Sequence, residues 1–284
     1  MVSDIGTWVQ LIVVGSLVAK GTGSAVQTGL VALATFMPQG IASPIGGLLA
    51  DRFDRRRVFA AALLAQSVMT GGLAVVLGLG VRDPGILTLL ILLGSAAGAL
   101  GQPAYSAMIP DLVDEDELVA MVSLGVYSWN AGRILGPLVG SLLAAAVGPA
   151  WTIGFNAITF VGLAAAVWTV RQPFRPPAEA LAAETGVFER LAEGWQALRT
   201  TPGCLHVFTV NTMLNLTIIP FMGLIPIFVA AELDGGTGIT GLVSSTQGIG
   251  AIAGGIGVTM LVARRRRSDI LATLVATLSV GLAA

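Results

Sequence analysis

Nine stretches of apolar residues run along this chain, and each is close to the length of a bilayer-spanning helix. A helix needs about 20 apolar residues to cross the hydrocarbon core of a membrane. An open sheet cannot replace these helices, because it would leave backbone groups unpaired in lipid. The sequence therefore predicts an all-α, polytopic transmembrane helical bundle, with spans at 5–20, 26–50, 58–80, 86–109, 118–147, 151–170, 205–231, 239–263 and 270–284.

The composition excludes a large soluble domain and several classes of chemistry. Of the 284 residues, 55% are hydrophobic and 11% are charged, whereas soluble domains carry roughly 25% charged residues. With one cysteine and one histidine, no intrachain disulfide can form, and we expect no metal site and no cofactor. The single lysine, Lys20, belongs to no phosphate-binding loop. We therefore expect no enzyme activity, ATP hydrolysis included, and no binding of nucleic acid.

The arginines indicate which side of the membrane each loop faces. Twelve arginines follow the second, sixth and eighth apolar segments, whereas the opposite loops hold only Lys20 and Arg82. An excess of Arg and Lys marks cytoplasmic loops. We therefore expect a multi-pass protein of the cell membrane with a cytoplasmic N-terminus. The twelve residues on the cytoplasmic side would be Arg52, Arg55, Arg56, Arg57, Arg171, Arg175, Arg190, Arg199, Arg264, Arg265, Arg266 and Arg267.

A polar stretch at 171–203 divides the chain into two groups of spans. Its proline-rich start is typical of an extended linker, and Val187, Trp195 and Leu198 then recur at helical spacing. This predicts an amphipathic helix, which lies either at the membrane interface or against the cytoplasmic loop ends. The expected domains are a six-helix bundle at 1–170, the linker at 171–203 and an incomplete second bundle at 204–284. Because the first and last apolar segments are short, we expect a piece of a longer chain.

The loop after the second segment carries the most specific motif, GLLADRFDRRR at residues 47–57. Gly47 and Asp51 are four residues apart and share one face of the helix end. We expect Gly47 to let another helix approach closely, as small residues do in membrane helices. Asp51 and Arg55 are also four apart and can pair.

This motif resembles the loop signature of the major facilitator superfamily, and departs from it at Asp54, where most members have glycine. The form DRFDRRR is similar to the branch that contains siderophore exporters of the enterobactin type and macrolide efflux proteins. The resemblance implies two bundles of six helices, in which this loop latches the halves in the outward-open state, and we expect a monomer. A loop that only orients the chain is the alternative. The implied latch residues are Gly47, Asp51, Arg52, Arg55 and Asp111.

The fifth segment carries a glycine at every fourth position. At about 100° per residue these glycines form one stripe, which suits tight contact with another helix. Pro137 frees a backbone carbonyl and can bend the helix. The segment is similar to the Gly-x-x-x-Gly-Pro-x-x-Gly-Gly element of exporters in the superfamily, with Ser141 replacing the last glycine. The resemblance ties this element to exchange of substrate against protons, and helix packing alone is the alternative. The glycines are Gly132, Gly136 and Gly140.

A few polar residues inside the spans are candidates for the substrate path or for coupling. Arg133 would cost several kcal/mol in mid-membrane unless it is paired or faces water, so it is either a functional residue or an anchor to backbone carbonyls. Asn130 lies near it, and Asp4 is the nearest intramembrane acid in the sequence. Asp4 is either a proton carrier or an interfacial residue. Asn211 and Asn215 share one helix face and either bind substrate or bridge to another helix.

The resemblance implies a secondary active transporter that exports small amphipathic molecules, such as drugs or siderophores, by proton-coupled alternating access. The expected partners are a small-molecule substrate, protons and the lipid bilayer. The substrate path should lie between the two bundles near mid-membrane. Two alternatives remain, which are a lipid or metabolite transporter of the same fold and a non-transporting membrane scaffold or sensor.

Overall fold

A computed structural model of the chain describes residues 2–170 and 187–262, and every regular element in these ranges is an α-helix. The predicted all-α fold is confirmed. Eight predicted spans coincide with helices, and their ends agree within three residues. The ninth, 270–284, and the proline-rich start of the linker lie outside the described residues. The helices are α1 (Val2–Thr22), α2 (Ala25–Arg52), α3 (Arg55–Gly78), α4 (Pro84–Leu112), α5 (Glu115–Val147), α6 (Pro149–Thr169), α7 (Val187–Thr200), α8 (Cys204–Glu232) and α9 (Thr237–Val262).

Local sequence explains why several helices start where they do. Three helices begin after a residue whose side-chain oxygen accepts a hydrogen bond from the backbone N–H three residues later, at 2.9–3.3 Å. Such a cap satisfies one of the donors that the first helical turn leaves unpaired. Gly148 joins α5 to α6 with a φ of +83°, which side chains on Cβ disfavour. The short connections make neighbouring helices antiparallel. The three capping residues are Ser24, Asp54 and Asp83.

Helix α1 forms the core of the molecule. It packs against α2, α5, α6 and α8, and Val13 and Val14 at its middle are fully buried. The cluster around them includes Leu77 of α3, Ile91 of α4 and Ile153 of α6. The interior is therefore built around a central helix, most of whose middle residues are buried.

Within the residues that the structure describes, six helices, α1 to α6, are long and apolar enough to cross a membrane. Large apolar side chains cover their outer surface, among them Val26, Val75 and Ile158, which are 73%, 62% and 65% exposed. A water-soluble protein rarely exposes apolar surface on this scale, whereas lipid accepts it. The chain is therefore a multi-pass membrane protein.

Helices α1–α6 make up the first helix group, and α8 and α9 make up the second helix group. Helix α8 lies against α1 and α2, α9 lies against α5, and the amphipathic α7 contacts α2 and α8. Small residues mark these contacts. Pro226 of α8 packs over Gly15 of α1, and Gly223 meets Ala32 of α2. The two groups thus meet along α1, α2 and α5.

Candidate functional site

A cavity lies where the two helix groups meet. It is small and partly open, and it is lined by α1 and α5 of the first group and by α8 and α9 of the second. Much of its wall is apolar, as in most small-molecule sites. The apolar lining residues are Leu11, Ile12, Pro137, Met222 and Ile225.

The glycine stripe of α5 holds one wall of this cavity against α1. A Cβ at Gly132 would lie 3.0 Å from the carbonyl carbon of Asp4, and one at Gly136 would lie 2.5 Å from the Cβ of Trp8. At Gly140 the Cα of Val9 would be 3.1 Å away. These positions leave no room for a side chain, so the tight contact predicted from the glycine spacing is confirmed.

The proline side of α5 packs equally closely against α9. Gly241 of α9 lies against the carbonyl of Pro137 and the side chain of Ser141, and Gly248 lies against Ile134. The hydroxyl of Ser245 donates to the backbone carbonyl of Ile134 at 3.0 Å. Helix α5 is therefore fixed between α1 and α9, and this places its residue 133 at the boundary of the two groups.

Four polar side chains complete the cavity wall: Trp8, Arg133, Ser244 and Gln247. Trp8 and Ser244 are 4% and 5% exposed, and Arg133 is half-buried. Among the described residues, the indole Nε1, the guanidinium Nε and the Ser244 hydroxyl are buried without a hydrogen-bond partner. Buried polar groups are normally paired, so three unpaired ones around one cavity indicate a place for a polar ligand group.

Aromatic neighbours fix the orientation of Trp8. Its ring lies 5.9 Å from that of Phe36 and 5.5 Å from that of Trp129, measured between centroids. The edge-to-face packing on Trp129 of α5 is a favourable aromatic geometry. The indole N–H is thereby held at the cavity wall.

The other candidates of the first and fifth helices lie elsewhere. Asp4 accepts a hydrogen bond from the hydroxyl of Ser128, which joins the start of α1 to the middle of α5. Asn130 donates to the carbonyl of Val126 in its own helix at 2.9 Å and does not line the cavity. No ion pair joins Asp4 to Arg133 within the part of the chain that the structure describes.

Two other predicted residues, Asn211 and Asn215, lie in α8, and their side chains fall outside the described part of the structure. The predictions that they bind substrate or bridge to another helix therefore stay predictions. His206 is exposed near the start of the same helix.

The loop between α2 and α3 is tied to its surroundings by arginines. Arg55 forms an ion pair with Asp111 at 3.2 Å and donates to the carbonyl of Ala107 at 3.0 Å, so it fixes the end of α4. Arg56 donates to the carbonyl of Val170 at 2.6 Å. Arg52 is exposed. The loop therefore connects the ends of α2, α4 and α6 on one side of the bundle.

The close contact expected at Gly47 is made by its neighbour instead. No atom lies within 4 Å of a Cβ built on Gly47, whereas one on Gly46 would collide with the backbone carbonyl of Leu100 in α4. One residue turns a helix by about 100°, so the face toward α4 is that of Gly46. The prediction for Gly47 is wrong in this conformation, and its side of α2 is open.

The sequence reasoning missed three of the four polar cavity residues. Ser244 and Gln247 are three residues apart and share a face of α9, while Trp8 shares a face of α1 with Leu11 and Ile12. This spacing was the available signal, yet it could not indicate that both faces meet Arg133.

A second buried polar group lies within the first helix group. Asn156 of α6 donates to the side-chain oxygen of Gln10 of α1 at 3.3 Å, and the hydroxyl of Thr70 of α3 lies 3.5 Å from the same oxygen. These hydrogen bonds pair the polar side chains with one another inside the bundle. They join α1, α3 and α6 and do not reach the cavity.

Known proteins resemble this chain in sequence. A family model described as "Transmembrane secretion effector" matches residues 1–284. The enterobactin exporter EntS of Shigella boydii is 33% identical over 147 residues, which are 50% of this chain and 34% of that protein. The multidrug efflux pump Tap of Mycobacterium tuberculosis is 31% identical over 165 residues, 56% of this chain and 39% of that protein. The matches thus span less than half the length of either relative.

A solved structure shares the arrangement of the helices. The crystal structure of a D-xylose-proton symporter superposes with a TM-score of 0.52 at 17% identity, and the alignment covers 93% of this chain and 68% of that one. At this identity the likeness concerns the fold alone, which is the predicted major facilitator fold. Together with the family model over residues 1–284, it shows that the chain belongs to the transmembrane secretion effector family of major facilitator transporters.

Proposed function

We propose that this chain works in a secondary active transporter that exports small amphipathic molecules by proton-coupled alternating access. The observation that carries the proposal is the cavity between the two helix groups, with apolar walls and unpaired polar groups. Transporters of related architecture bind substrate at such an interface near mid-membrane. Relatives named as an enterobactin exporter and a multidrug efflux pump support the direction and the kind of substrate.

The packing of the two groups supports alternating access. Among the described residues, the two groups touch near the end where α1 joins α2, as at Gly15 with Pro226 and at Lys20 with Gly236. At the other end, α5 presents Val119 and Tyr127, which are 76% and 71% exposed. The arginine clusters lie at this second end, which is cytoplasmic under the positive-inside rule. We therefore assign this conformation to an inward-facing state with a cytoplasmic N-terminus.

The loop between α2 and α3 would act as the latch in the opposite state. Arg55 already holds Asp111 in this conformation, while the side of Gly47 is open. An open glycine face near Asp51 and Arg52 offers a place for a helix of the second group. When that helix closes against the Gly47 side of α2, the other end of the cavity would open.

Helix α5 connects this movement to the site. Its glycine stripe packs on α1, and its Pro137 side packs on α9 across the boundary of the groups. A shift of α9 along α5 therefore acts directly on Arg133. Asp4, which joins α1 to α5 through Ser128, is our candidate proton carrier.

Vesicle transport with the full-length protein tests this proposal. An imposed pH gradient should drive a drug or siderophore across the membrane, and the added compound should in turn move protons. Asp4→Asn should abolish the proton movement and leave substrate binding in place, whereas Asp114→Asn, an exposed acid at the start of α5, should change neither.

Three results would contradict it. Transport that no pH gradient drives would exclude proton coupling. Movement of labelled lipid alone would favour a lipid transporter, and no movement of any compound would favour the scaffold or sensor.

A further inference from the structure

The unpaired groups around the cavity share one chemical property, which is that they donate hydrogen bonds. The indole N–H of Trp8 and the guanidinium of Arg133 can only donate, and the hydroxyl of Ser244 can also donate. The indole N–H, the guanidinium Nε and the Ser244 hydroxyl are buried without a partner among the described residues. A ligand that satisfies them must therefore bring acceptor atoms.

The charge at the cavity wall is positive. Arg133 carries a permanent positive charge, because an arginine is not deprotonated in proteins. No carboxylate is among the residues that line the cavity. Within the described residues, Arg133 makes no ion pair, whereas Arg55 does. A cation buried in a membrane protein needs a counter-charge or water, so the cavity favours a negatively charged group.

The remaining wall defines the rest of the ligand. Leu11 and Ile12 of α1 and Met222 and Ile225 of α8 line the rest of the cavity. These side chains favour an apolar body. Methionine adapts to irregular shapes, so Met222 accepts ring systems of differing outline.

We propose that the cavity is a binding site for amphipathic organic anions, with an oxyanion group held by Arg133, Trp8 and Ser244 and an apolar body against α1 and α8. A carboxylate matches the planar guanidinium, because two parallel N–H···O bonds can form. This inference rests on the proposed transport function and adds the charge class of the substrate.

Matched probes test it on the full-length protein in nanodiscs of uncharged phosphatidylcholine. Naphthalene-2-carboxylate, naphthalene-2-carboxamide and 2-naphthylmethylammonium share a ring system and differ in charge. Calorimetric titration, with empty nanodiscs as the reference, measures their affinities. We expect the carboxylate to bind about 30-fold more tightly than the carboxamide, and the ammonium probe to bind most weakly.

Single substitutions identify the side chains that cause the preference for the carboxylate. Arg133→Gln should remove the preference for the carboxylate, while Arg133→Lys should keep it with weaker binding, because a lysine lacks the bidentate fork. Ser244→Ala and Trp8→Phe each remove one donor and should weaken carboxylate binding about fivefold.

The inference is wrong if the wild-type protein does not bind the carboxylate, binds all three probes equally or prefers the ammonium probe. It is also wrong if correctly folded Arg133→Gln keeps the preference. If that variant does not fold, loss of the preference in Arg133→Lys would contradict the inference. Because titration needs no gradient, failure of proton-coupled transport would leave this result unchanged and would count only against the proposed function.

Discussion

At the residue scale, the position of α5 depends on three glycines. At Gly132, Gly136 and Gly140, backbone or Cβ atoms of α1 occupy the space where a Cβ would stand. The stripe is therefore a steric requirement of the α1–α5 contact. Gly125 lies near the same line of the helix, but no atom is within 4 Å of its missing Cβ.

We expect Gly136→Ala to destabilise the protein. The added Cβ would stand 2.5 Å from the Cβ of Trp8 and 3.0 Å from the carbonyl oxygen of Ile5, so α1 and α5 must move apart. Overpacking of this kind costs about 1–3 kcal/mol. Thermal unfolding in detergent, monitored by size-exclusion chromatography, should show a lower midpoint temperature of unfolding.

Gly125→Ala is the matched control for this substitution. The same methyl group meets open space there, and alanine favours the helix by up to about 1 kcal/mol. Its midpoint should be unchanged or higher. Equal midpoints for the two variants would contradict the steric account of the stripe.

At the element scale, the ion pair of Arg55 and Asp111 joins the start of α3 to the end of α4. The two side chains are 16% and 47% exposed, so solvent screens the pair and its contribution to stability is about 0–1 kcal/mol. Its importance lies in the relative position of the helix ends. We therefore expect its loss to affect transport more than folding.

Reversal of the charges tests this expectation. Arg55→Asp and Asp111→Arg should each slow transport in vesicles, because each places like charges together. The midpoint of unfolding should change little. The double variant restores opposite charges and should recover much of the rate. Arg57→Asp alters an exposed arginine of the same turn and should transport normally. A double variant as slow as either single one would show that the pair has no role.

At the scale of the whole molecule, the sequence predicted the spans well and the site only in part. Bilayer thickness fixes the length of a span, so apolar runs indicated eight of the described helices. The cavity depends on which helix faces meet, and a single chain does not carry that information locally. Arg133 was found because charge is rare in a span, whereas Trp8 and Ser244 look ordinary until α9 packs on α5.

Two further differences between the prediction and the structure arise because the sequence does not show which helix faces meet. Gly46 and Gly47 are equivalent in the sequence, and only the rotation of α2 against α4 decides which of them is covered. Asp4 was the obvious acid to set beside Arg133, yet it bonds to Ser128, which lies more than one helical turn before Arg133. Periodicity gives the faces of a helix, but packing assigns the partner of each face.

Thiol labelling at Ser244 tests most directly whether the cavity is the path of the substrate. In full-length protein without other cysteines, Ser244→Cys in vesicles is exposed to a membrane-impermeant methanethiosulfonate. Thr246→Cys, an exposed position on the outer side of the same helix, is the control and should react slowly because it faces lipid. We predict that the reagent reaches residue 244 from the cytoplasmic side, that the transported compound slows the reaction and that labelling stops transport. Complete labelling at residue 244 with transport unchanged would contradict the account.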